Sequence, residues 1–105
     1  MKFNINLIEG FQWDEDNVYK LYDKHNVDFR ECEEIFFNRP LYVVFDVKNS
    51  LKEPRWIGLG RTKANRWLFI SFTLRDKLIR IISGRDMNKK ERRKYEEKIK
   101  KYSGL

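Results

Sequence analysis

The chain of 105 residues has one cysteine, Cys32, and one histidine, His25. A lone cysteine excludes an internal disulfide framework, and one histidine with one cysteine is too little for an ordinary structural zinc site. Any catalysis is therefore expected to need no cofactor and to be metal-free or to use a weakly held ion. Long apolar runs are missing too. None approaches the roughly 20 residues that span a membrane, and the opening Met1–Leu7 alternates apolar with polar residues instead of forming a signal-peptide core. A cytoplasmic protein that makes no membrane contact is expected. Repeats, linkers and signs of a second domain are absent, so residues 1–105 read as a single domain.

What is present is enough for a real core. With 41% hydrophobic and 15% aromatic residues the chain is not disordered by composition, and at this length it buries roughly two thirds of its unfolded surface. Charge is unevenly spread. Residues 1–54 carry 7 Lys+Arg against 11 Asp+Glu, a net of −4, whereas residues 55–105 carry 16 against 5, a net of +11. Such asymmetry points to nucleic acid or another polyanionic partner.

Phe3, Ile5 and Leu7 in period two, a Glu9-Gly10 turn and Phe11–Trp13 predict a small N-terminal hairpin, with residues 1–10 as an added strand. Asp14 or Asp16 then caps a helix whose stripe is Val18, Leu21, Tyr22 and His25, ended by Asn26 in a left-handed turn. Asp28-x-x-Glu31 forms a capping box for a second helix, with Phe29, Cys32, Ile35 and Phe36 facing inward until Arg39-Pro40 breaks it. Strands follow at Leu41–Asp46, Arg55–Thr62, Trp67–Arg75 and Leu78–Arg85, joined by links short enough for an antiparallel meander. Asn88-x-x-Glu91 caps a last helix that packs through Tyr95, Ile99 and Tyr102, and residues 103–105 are expected to fray. The fold class is α+β: a four-stranded meander plus an N-terminal hairpin, packed with two N-terminal helices and one C-terminal helix.

Strand parity sharpens the picture. Trp56, Gly58 and Gly60 share one face of their strand, and glycines in a strand interior mark a bulge or the close approach of another backbone. In the last strand Arg80 shares a face with Leu78 and Ile82, opposite Ile79, Ile81, Ser83 and Arg85. A guanidinium among isoleucines is costly unless it reaches a carboxylate, a phosphate or solvent, so Arg80 belongs on an open sheet face, away from the helices.

These pieces in their order resemble a family. Phe11-x-Trp13-Asp14, Lys24-His25-x-Val27-x-Phe29-x-Glu31, Arg55 with Gly60-Arg61, Arg80-Ile81-Ile82-Ser83-x-Arg85 and Glu91-Arg92-x-x-Tyr95-Glu96 are similar to the BrnT family of toxins. The resemblance implies a small RelE/ParE-like endoribonuclease, the toxin of a type II toxin–antitoxin pair, that cleaves RNA and inhibits translation. It implies a BrnA-like ribbon-helix-helix antitoxin as partner, with operator DNA bound only through that antitoxin. Arg55, Arg85, Ser83, Arg92 and Tyr95 are the substrate-binding positions it suggests. Leu21 and Asn26 stand where the family commonly has Asn and Gly, and Asp86 follows Arg85 where a second arginine is common.

Internal RNA cleavage requires removing a proton from a 2′-hydroxyl, stabilising charge on the phosphorane-like transition state and protonating the leaving 5′-oxygen. His25 is the one side chain that titrates near neutrality unperturbed. His25 or Lys24 is assigned the proton transfer, and Arg61 and Arg80 the electrostatic stabilisation; no residue pair identifies the general acid. Structural roles compete with each assignment: a packed or helix-terminal His25, an Arg80 paired with a carboxylate such as Glu31, a merely solvated basic run at Lys89–Lys101, and core packing for Tyr95 and the tryptophans. A non-catalytic nucleic-acid-binding module and a protein-interaction domain remain alternative readings.

Overall fold

The structure, a computed structural model, describes residues 3–103. Met1 and Lys2 of the expected first strand, and Gly104 and Leu105 of the expected frayed end, lie outside these residues. Five strands form one sheet in the order β1-β5-β4-β3-β2: β1 (Gly10–Gln12), β2 (Tyr42–Phe45), β3 (Trp56–Arg61), β4 (Trp67–Arg75) and β5 (Leu78–Asp86). The β2–β5 meander is antiparallel, as its short links require. Asp76 and Lys77 close the β4–β5 hairpin with φ of 50° and 67°, the paired positive angles of a two-residue turn that matches strand twist.

The predicted N-terminal hairpin does not form. Ile5–Leu7 make a 3₁₀ turn capped by Asn4, and β1 instead runs parallel to β5, with Phe11 opposite Ile79. The reason is burial. Phe3 meets Phe36 and Phe72, and Ile5 and Ile8 join the same core, whereas an isolated hairpin this short has little to hold it together.

The predicted caps are in place. Asp14 accepts from the Asn17 amide to open helix α1 (Glu15–His25), which Asn26 ends at φ 53°. The Asp28/Glu31 capping box opens α2 (Phe29–Glu34), continued by a 3₁₀ turn at Ile35–Phe37. These elements cover one sheet face, where Leu21, Val27, Cys32, Ile35 and Phe36 pack on Trp56, Leu68, Ile70, Phe72, Ile79 and Ile81. Gly60 is where the 3₁₀ turn comes closest, since a Cβ there would lie 2.8 Å from Ile35 Cβ. Gly60→Ala is expected to cost about 1–3 kcal/mol by overpacking, read as a lower urea midpoint.

Helix α3 (Lys89–Tyr102) starts from the Asn88/Glu91 capping box and crosses the other sheet face at one end only. Tyr95, Met87 and Leu59 form a second small core there, with Ile99, Trp67 and Phe69 around it. Tyr102, expected in the packing stripe, is instead exposed. Among the described residues no other helix covers the remainder of this face.

Candidate active site

The site forms where β1 stops short. β1 pairs with β5 only as far as Arg80, and beyond that point α1 lies along the β5 edge, with the Asn17 side-chain amide donating to the Ile81 carbonyl. An extra residue then breaks the β5 register. Ile81 pairs with Phe72 and Ser83 with Ser71, leaving Ile82 unpaired in a bulge. From there the faces exchange: Gly84 turns into the core against Ile70 and Cys32, and Ser83 and Arg85 move to the face that carries Arg80. The parity reading had placed Ser83 and Arg85 with Ile79 and Ile81; the bulge overturns it, as bulges do by shifting every later side chain.

Two adjoining depressions between α1 and β5 share Asn17, Lys20 and Ile82 and form one cleft. Lys24, His25 and Ser83 line its inner end, and Arg80 with Asp14, Glu15 and Asp16 its outer end. Of the four residues assigned to catalysis, the structure therefore unites His25, Lys24 and Arg80. Asn17 and Lys20 were missed by sequence reasoning. Lys20 was legible, since it precedes Lys24 by four residues and so shares its side of the helix.

Arg80 is held by a carboxylate, though not by Glu31. Its Nη2 donates to Asp14 Oδ2 at 2.6 Å. The Asn17 amide, then Arg80, keep the Asp14 carboxyl below its ordinary range, so Asp14 stays ionised and competes for the guanidinium that a phosphate would need.

Glu31 belongs to Arg66, a residue that sequence reasoning did not single out. Arg66 donates to Glu31 Oε1 at 3.0 Å, to Asp86 at 2.8 and 3.0 Å, and to the Asn26 carbonyl at 2.9 Å, with a longer contact of 3.5 Å to the His25 carbonyl. One guanidinium thus fastens the end of α1, the start of α2 and the end of β5. The hydrogen bonds from Arg66 hold the Asp86 carboxyl below its usual value, and those same carboxylates raise Arg66 above the ordinary guanidinium range.

The remaining candidates lie apart from this cleft. Arg61 is on β3, with β4 between it and β5, roughly 10 Å across two strand spacings. It donates Nε and Nη2 to the Arg39 carbonyl, which corrects its assignment to the same phosphate as Arg80. Arg85 forms a two-pronged pair with Glu91 at 2.8 and 2.9 Å and lies over the Phe69 ring at 4.1 Å. Burial pushes the Glu91 carboxyl up, but Arg85 and the Asn88 amide outweigh it and the net shift is downward. Arg92 covers Trp67 at 4.6 Å. Tyr95 is fully buried, its hydroxyl donates to the Pro40 carbonyl at 2.6 Å and burial pushes its pKa up to about 12, so the structure places it in the core and not at an accessible substrate-binding surface. Arg55 sits just before β3, where its amide donates to the Ser50 hydroxyl. Among the described residues no group of three or more His, Cys, Asp or Glu is placed to hold a metal ion, and no helix is long and apolar enough to cross a membrane.

Residues 13–91 match the family described as "Ribonuclease toxin, BrnT, of type II toxin-antitoxin system". No curated protein matches the chain by sequence. Among solved structures, the crystal structure of the Brucella abortus ribonuclease toxin BrnT is similar in fold, with a TM-score of 0.58 and 19% sequence identity over 76% of this chain and 97% of that one.

Proposed function

The chain belongs to the BrnT family of ribonuclease toxins of type II toxin–antitoxin systems, and we propose that it cleaves RNA in the cleft between α1 and β5, with His25 and Lys24 moving protons, Lys20 binding the scissile phosphate and Arg80, at the outer end, gripping a neighbouring phosphate of the same strand. The observation that supports this most is the meeting of the one histidine, two lysines and an open-face arginine in a single groove. In the reaction, His25 takes the proton of a 2′-hydroxyl, whose oxygen bonds to the adjacent phosphorus. The P–O5′ bond breaks, and the Lys24 ammonium supplies the proton to the departing 5′-oxygen. The products are a 2′,3′-cyclic phosphate and a free 5′-hydroxyl. Lys20 neutralises charge on the phosphorane-like transition state, where a positioned cation acts without reorganising solvent, and Arg80 holds the strand in register from the outer end of the cleft.

A toxin of this class has a protein antitoxin. We assign that role to a BrnA-like ribbon-helix-helix protein, which carries operator binding for the pair, and we assign inhibition of translation as the outcome of cleavage. The test uses antitoxin-free protein with total RNA in EDTA, with and without ribosomes, and reads the fragment ends. Fragments bearing 2′,3′-cyclic phosphate are expected. RNA left intact in both settings would overturn the reading.

The acidic neighbour of Arg80 gives a second check. Asn is as good a helix cap as Asp, so Asp14→Asn is expected to keep α1 and release Arg80. The expected result is RNA binding tighter by roughly threefold to tenfold at low salt with an unchanged circular dichroism spectrum. Weaker binding would show that Asp14 orients Arg80 instead of competing for it.

One observation favours a second reading. Arg92 over Trp67 and Lys98 over Tyr42, at 4.6 and 4.2 Å, make a basic and aromatic strip along α3. Such strips bind single strands without cleaving them.

A further inference from the structure

Helix α1 has two exposed flanks with opposite chemistry. One carries Asn17, Lys20, Lys24 and His25 into the cleft. The other is apolar: Tyr19 is 72% and Tyr22 58% exposed. Beside them Val18, Phe29 and Trp13 are half-buried and complete a continuous groove, in two adjoining parts that share Val18 and Tyr19. Its floor is fixed. Trp13 donates its indole N–H to Glu33 at 2.7 Å and meets the Phe29 ring edge-on at 5.5 Å between centroids.

The groove's ends carry negative charge. Asp23 and Asp28 line one end and Asp14 and Glu15 the other. Asp14 is taken by Arg80, and Asp28 accepts from the α2 amides. Among the described residues Glu15 and Asp23 make no ion pair or side-chain hydrogen bond. The cations beside it, among the described residues, are Arg80, already taken by Asp14, and Arg30, which lies over the Phe29 ring at 5.5 Å. RNA is repelled from such a surface, and an acidic helix would meet like charge at both ends.

We propose that this groove docks a short amphipathic helix of a protein partner, with apolar residues in its middle and Lys or Arg at its ends. The stretch from Asp14 to Asp23 is about 14 Å along α1, which suits a docked helix of roughly ten residues laying i, i+3, i+4 and i+7 anchors into the groove. The groove and the cleft share only Asp14 and Glu15, at the start of α1, so a helix centred on Tyr19 and Tyr22 leaves Lys24 and His25 open to RNA. The groove stands independently of the RNA reading, since docking is measured without turnover.

The experiment titrates the full chain with two labelled synthetic helical peptides, identical in their leucines, one with lysine ends and one with glutamate ends, and follows fluorescence anisotropy. The lysine peptide is expected to bind at least about tenfold more tightly than the glutamate peptide, and to lose most of that affinity on Tyr19→Ser with Tyr22→Ser. Glu15→Lys with Asp23→Lys is expected to invert the preference. Circular dichroism checks that each variant is folded, and the bound peptide is expected not to compete with a short RNA. Equal binding to the serine variant, equal binding of both peptides, or competition with RNA would overturn the proposal. So would self-association that the serine substitutions abolish without any peptide binding, since the occupant would then be a second copy of this chain.

Discussion

Arg80→Ala is expected to raise the KM for RNA cleavage by roughly 10-fold to 100-fold, the usual effect of losing a charge-assisted grip on a backbone phosphate. The thermal midpoint is expected to stay close to wild type. Arg80 reaches Asp14, whose carboxylate is 46% exposed, and such pairs add little to stability. Arg80→Lys is expected to fall between the two, because it keeps the charge but loses the fork that grips two phosphate oxygens. Steady-state cleavage of a short RNA measures all three. An unchanged KM in Arg80→Ala would remove Arg80 from RNA binding and leave it as the partner of Asp14.

Arg66→Leu is expected to do the opposite: a large loss of stability, with cleavage falling because α1 is no longer held. Its bond to Asp86 counts for least, since that carboxylate is 62% exposed. The bonds to Glu31, at 28% exposure, and to the Asn26 carbonyl count for more. Together about 2 kcal/mol is expected for losing these charge-assisted bonds, which for a chain this small lowers the midpoint by roughly 10 °C. The pH dependence has a definite sign. The Asp86 carboxyl is depressed below its ordinary 3.8 in the folded chain, so its contribution is present above that value and is lost as pH falls through the folded pKa. The gap between wild type and Arg66→Leu is therefore expected to be full at neutral pH and to narrow in acid. Urea unfolding at neutral pH and at about pH 3 tests it. A constant gap would mean that Arg66 acts through packing and the backbone carbonyls alone.

Which features were legible in the sequence follows from how local their causes are. The caps at Asp14, Asp28 and Asn88 and the turn at Asn26 are short-range hydrogen-bonding devices, and each is found where its residues stand. The meander links and the Gly58/Gly60 floor under Ile35 were legible for the same reason. Two non-local facts escaped. The partner of β1 is β5, nearly seventy residues away in sequence (Gly10 opposite Leu78), and the extra residue at Ile82 that turns Ser83 toward the open face leaves no mark on local alternation. The candidate site shows the same division. Lys24, His25 and Arg80 drew notice by type and position, whereas Arg66 acts through four partners contributed by α1, α2 and β5, which only the folded chain brings together. Arg85 had the right chemistry for phosphate, but Glu91, placed by the last helix cap, takes both prongs of its guanidinium.

The central claim is that RNA lies between α1 and β5. The direct measurement is an NMR titration of the ¹⁵N-labelled chain with a short RNA whose scissile 2′-hydroxyl is replaced by hydrogen, so that it binds without being cut. Shifts concentrated at Asn17, Lys20, Lys24, His25, Ile82 and Ser83, with Trp67, Arg92 and Lys98 unmoved, are expected. Shifts confined to Trp67, Arg92, Lys98 and their neighbours on α3 would contradict the claim and place the RNA on the other face.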